Sequence, residues 1–135
     1  MSRSMLWGTA ALLVALAAPA VGQEDQGRTL YMEHCASCHG ANLEGQPDWR
    51  SPQPDGTWPA PPHSVDGHTW HHSDIVLFDY VKRGGQAALD DMGVEFRSAM
   101  PGFGDRLTDD EIEAILAFIA SAWPAGIQRV QESRE

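Results

Sequence analysis

Three stripes of apolar residues at helical spacing run along the chain, separated by two long stretches that have none. From Glu24 to His34, the residues Gly27, Leu30, Tyr31 and His34 fall at i, i+3, i+4 and i+7. That spacing predicts a short helix, with Asp25 as its cap. Gly27 one turn before Tyr31 predicts that another helix crosses this one closely. Ser73 to Arg83 predicts a second helix, with Ser73 as cap, Asp74 in the first turn and Lys82 and Arg83 in the last. Its middle, Ile75-Val76-Leu77-Phe78 with Tyr80 and Val81, is apolar nearly all round and predicts full burial, and Gly84-Gly85 ends it. The third helix is the best specified. Thr108-Asp109-Asp110-Glu111 is a capping box, and Leu107 and Ile112 stand at hydrophobic-staple positions. Ile112, Ile115, Leu116, Ile119 and Trp123 make its stripe, Pro124 stops it, and the polar tail beyond Ala125 is expected to fray.

Between these helices the chain reads as loop. Pro47, Pro52, Pro54, Pro59, Pro61 and Pro62 exclude regular structure from Gly40 to His72, and Trp49, Trp58 and Trp70 are spread through the same stretch. Three tryptophans need something apolar to cover, so the loop is expected to be ordered rather than free. A second loop is predicted from Gln86 to Asp105.

The chemistry sits at the end of the first helix, in Cys35-Ala36-Ser37-Cys38-His39. Two thiols at this spacing can each add across a vinyl group of one haem, and the histidine beside the second sulfur can then reach the iron. A thioredoxin-like dithiol should open a long apolar helix, but polar Gly40, Asn42, Glu44 and Gly45 follow instead. A four-ligand zinc site would need two more close ligands, and the chain has only these two cysteines. A proline carbonyl from the loop is expected on the other ring nitrogen of His39.

Residues 1–22 differ in kind from the rest. Arg3, the apolar run from Met5 to Ala17 and the small residues from Ala18 to Gly22 read as a secretory signal peptide cleaved near Ala20 to Gly22. The run is shorter than the roughly 20 apolar residues of a membrane span. Without Arg3 the net charge goes from −10 to −11. So acidic a surface excludes nucleic acid and an anionic membrane as partners. It suits either plain solubility or steering toward a positively charged docking face.

An iron held by His39 has one axial place left, and Met100 is the first candidate for it. Pro101 keeps Met100 out of helical geometry, and a thioether favours ferrous iron and raises the potential. Met100 as core filler is the rival reading, and Met92 is the second candidate ligand. His63, His68, His71 and His72 admit three roles: contacts to haem propionates or a helix cap, the sixth iron ligand, or a copper or zinc site.

With Cys35 to His39 early, Met100-Pro101-Gly102-Phe103 late and Leu107 to Ile112 opening the last helix, residues Gln26 to Pro124 resemble the class I cytochrome c family. The resemblance implies an all-α fold in which N- and C-terminal helices cross around one covalent haem c. It implies Cys35 and Cys38 as thioether anchors and His39 and Met100 as metal ligands. The Pro/Trp/His-rich segment from Pro47 to His72 is longer than in the shortest members. The expected organisation is a signal peptide at 1–22, a cytochrome c domain at 23–126 and a polar tail at 127–135. The expected function is periplasmic single-electron transfer with transient redox-protein partners, rather than catalysis. The alternatives are an accessory subunit of an oxidase or dehydrogenase, a copper-handling protein, or a haem enzyme or gas binder with an open sixth site.

Overall fold

A computed structural model describes residues 21–134. The expected leader lies outside them except for its last two residues. The described residues form six α-helices: α1 (Val21–His34), α2 (Ala36–His39), α3 (Asp74–Arg83), α4 (Gly85–Asp91), α5 (Asp109–Ser121) and α6 (Ala125–Glu132), with a 3-10 turn at Thr69–His71. There is no strand among them, only one isolated parallel bridge between Trp58 and Ser98. The fold is the all-α arrangement expected. None of these helices is long and apolar enough to cross a membrane.

The central contact is α1 against α5, as the glycine predicted. Gly27 is buried, and a methyl group there would run into the Ala114 carbonyl and the Phe118 side chain. Tyr31, one turn on, is fully buried with its ring 5.4 Å from that of Phe118. α5 starts as its sequence requires. The Thr108 hydroxyl accepts from the Glu111 amide at 3.3 Å, and the Glu111 carboxylate accepts from the Thr108 amide at 2.8 Å. Leu107 and Ile112 are both buried beside the box.

Four expectations are corrected. Asp25 is not the cap of the first helix, because α1 starts at Val21 and the Asp25 carbonyl accepts from the Thr29 hydroxyl inside it. The second helix is not buried all round. It meets α4 and α5 on one side, only Val81 is buried, and Ile75 is 77% exposed. The stretch after Gly84-Gly85 is not all loop. Gln86-Ala87-Ala88-Leu89 are good helix formers, and α4 buries Ala88 and Leu89. Gly84, at φ +95°, makes the sharp turn between the two helices. The tail is not frayed up to Glu132. Pro124 starts α6 as well as ending α5, and glutamines hold it down: Gln128 donates to the Ala120 and Trp123 carbonyls, and buried Gln131 donates to Asp74 and the His72 carbonyl.

The loop from 40 to 72 is ordered by backbone pairing with itself. The Leu43 carbonyl accepts from the amides of His63 and Ser64 at 2.9 and 3.1 Å, and the Gln46 amide donates to the Ala60 carbonyl at 2.9 Å. Leu43 has the left-handed φ of +64° that turns the chain back, and its side chain is buried in the core. The effect is to lay residues 60–64 beside the end of α2.

Candidate cofactor site

The Cys35 amide bonds the Tyr31 carbonyl at 2.8 Å, and the amides of Cys38 and His39 bond the Cys35 carbonyl at 3.1 and 2.9 Å. The motif is therefore one helical turn continuing from α1, which sets its two sulfurs and the imidazole in fixed register. Tyr31 closes the turn from below by donating its hydroxyl to the Gly40 carbonyl at 2.8 Å. Both cysteines are free thiols, Cys38 exposed and Cys35 half-buried. Burial, then the neighbouring Cys38, pushes the Cys35 thiol up to about 11.

His39 is buried, and its Nδ1 lies 2.9 Å from the Pro61 carbonyl. A carbonyl only accepts, so Nδ1 carries the proton and Nε2 presents its lone pair. Burial lowers the His39 pKa, against the opposing pull of the Pro61 bond. Six prolines in the loop made the accepting carbonyl unassignable from sequence, and the structure identifies it as that of Pro61. His63, singled out only as one of four histidines, lies flat on His39 with ring centroids 4.0 Å apart and planes 23° apart. A ring stacked on the His39 face is its neighbour rather than a ligand opposite it. Burial, then His39 and His68, hold His63 well below the usual imidazole range.

The other histidines pack on neighbouring rings. His68 stacks on Trp49 at 6.1 Å and meets His72 edge-on at 5.6 Å, while His71 stacks on Trp70 at 3.7 Å. No group of three or more metal-ligating side chains forms among the described residues. The tryptophans likewise cover protein rings, with Trp58 on Phe96 at 4.9 Å.

The two candidate methionines differ. Met100 packs on the same core cluster as Cys35, and its segment is clamped at both backbone ends: its amide donates to the Ser98 hydroxyl and its carbonyl accepts from Gly85. Phe103 and Gly104 then donate to the carbonyls of Val81 and Lys82 at the end of α3. Met92 stands at the end of α4, 45% exposed.

This arrangement fits a covalent haem. Two unbridged thiols lie one helical turn apart, and an oriented imidazole presents its Nε2 lone pair. The apolar side chains of Cys35, Phe78, Trp70 and Met100 all lean on one core cluster, yet each stays partly uncovered. Such a helical domain is a haem-attachment domain of the class I type. A family model described as cytochrome c matches residues 24–123, and the chain belongs to the cytochrome c family. No curated protein and no solved structure matches it. The family binds haem c covalently and serves haem-based electron transfer, and the spacing of Cys35 and Cys38 suits that attachment.

Proposed function

We propose that this chain is an exported, periplasmic monohaem electron carrier. In this reading Cys35 and Cys38 anchor the haem as thioethers, and His39 and Met100 are its axial ligands. The bound haem would supply one-electron chemistry at iron. The chain's own residues supply orientation. Pro61 holds the His39 tautomer, the backbone clamps at Ser98 and Gly85 fix the Met100 segment, and the buried core beneath Cys35 keeps water from that side. The observation that carries the reading is the Pro61-oriented His39 at the end of the thiol-bearing turn. Export is supported by the Arg3 and Met5–Ala17 pattern. The net charge of −10 favours a transient partner with a positive docking face.

Met100→Ala tests the ligand set. The ferric holoprotein should lose its low-spin spectrum and the weak near-infrared band of sulfur-to-iron charge transfer, and its potential should fall. An unchanged spectrum would sink Met100 as ligand.

A further inference from the structure

We propose that His63 is a positioning residue that fixes the ring plane of His39 and so tunes the electronic structure of the iron that His39 holds. The inference rests on the reading of His39 as an axial ligand. One hydrogen bond cannot fix an imidazole, because torsions about an sp³–sp² bond are broad and the Pro61 contact restrains only the Nδ1 corner. A second ring lying flat on the first at 4.0 Å removes the remaining rocking freedom. That holds only if His63 is itself immobile, and four contacts make it so. Its Nδ1 is hydrogen-bonded to the hydroxyl of buried Thr69 at 2.9 Å, and its amide donates to the Leu43 carbonyl at 2.9 Å. Its carbonyl accepts from Trp123 Nε1 at 2.8 Å, and the edge of Tyr31 closes on its ring at 6.2 Å.

Trp123 is buried just beyond α5 and Tyr31 belongs to α1, so the crossed helices reach the ligand ring through His63. A leucine or valine at 63 could fill the space but would not set a plane. Thr69 supplies the element that packing alone lacks, a directional bond fixing the rotation of the His63 ring. The orientation of an axial imidazole determines how unpaired spin distributes over the porphyrin, and groups bonded or packed to a metal ligand orient it. The consequence is measurable without any partner protein.

The experiment compares ferric holoprotein of the native sequence with His63→Leu, Thr69→Val and Thr69→Ser. The readouts are the paramagnetic shift pattern of the haem methyls in proton NMR and the midpoint potential. His63→Leu should redistribute the methyl shifts and move the potential. Thr69→Val, nearly isosteric, should produce a smaller redistribution in the same direction, and Thr69→Ser should restore the native pattern. A purely structural role would lower the melting temperature and leave the pattern in place. A native pattern in either His63→Leu or Thr69→Val overturns the proposal, and if His63→Leu does not accumulate as holoprotein, Thr69→Val decides alone. A native protein that is not low-spin would instead overturn the ligand reading, and this inference with it. A low-spin native protein with unresponsive variants removes this inference only.

Discussion

The crossed helices α1 and α5 and the loop from 40 to 72 solve the same problem, holding His39 still, by opposite means. The helices do it with close packing: a glycine that lets two backbones touch, a buried tyrosine and a stripe of isoleucines. The loop contains one 3-10 turn and no other regular element. It holds the same residue with a carbonyl from Pro61, a flat ring from His63 and a ladder of backbone bonds to Leu43. Packing of that kind tolerates substitution by similar volumes, whereas the loop contacts are directional and each depends on particular atoms. The helices therefore govern whether the domain folds, and the loop governs how the ligand is presented.

The sharpest way to break this contrast is Gly27→Ala. Helix propensity alone favours alanine by about 1 kcal/mol, but the new methyl would meet the Ala114 backbone, which cannot swing aside as a side chain could. Overpacking should win, with a net loss of about 1–3 kcal/mol in guanidinium unfolding of the holoprotein. Stability equal to or above the native would mean that the crossing is not sterically closed. The haem spectrum of the folded variant should be unchanged.

Trp123→Phe probes one of the two frame side chains, with Tyr31, that reach His63 in the loop. The ring volume is largely kept, and what goes is the donor to the His63 carbonyl. The expected cost is roughly 1–2 kcal/mol. Unlike Gly27→Ala, this change should speed hydrogen exchange at the amides of His63 and Ser64 more than at those of α1. Equal acceleration in both places would remove the distinction between frame and loop.

The frame was legible in the sequence because its determinants are local and periodic. Gly27 and Tyr31 announced the crossing, and Thr108 with Glu111 announced the start of α5. The site motif was legible for the same reason, since Cys35, Cys38 and His39 are contiguous. What failed was long-range or ambiguous. α4 was hidden because Gly84-Gly85 signals a stop equally well when a new helix follows at once. α6 was hidden because it offers the core only Ile127 and is otherwise anchored by the polar donors Gln128 and Gln131, which add nothing to an apolar stripe. Nor could hydropathy tell which of six prolines, or which of four loop histidines, would meet a residue more than twenty positions earlier.

Thr108→Ala returns to the frame with a smaller effect. Removing the hydroxyl that accepts from the Glu111 amide should cost about 1 kcal/mol in the same unfolding measurement. The haem-methyl pattern should stay native, because the cap lies at the opposite end of α5 from Trp123. A changed pattern would show that the frame sets the ligand through more than the Trp123 and Tyr31 contacts.

The smallest effect expected is the acid response of the loop. Burial first, then neighbouring His71, lowers the pKa of His68. In His72 burial is again the leading cause, followed by His68, His71 and Arg134. The sign follows from proton uptake. Below about pH 6.5 the unfolded chain binds protons at these imidazoles while the folded chain resists, so stability falls as pH falls and is indifferent to these groups above that range. Both rings are only half-buried, and water screens much of the effect. The melting temperature of the holoprotein should therefore decline gently from about pH 6.5 to about pH 5. A His68→Gln, His72→Gln double variant should decline less, the difference isolating these two rings from His63 and His39. Protection factors of loop amides, corrected for the slower intrinsic exchange in acid, should fall before those in α1 or α5 do. If the helices open first, the loop's directional contacts are the stronger of the two means of holding His39, and the division of labour between frame and loop is reversed.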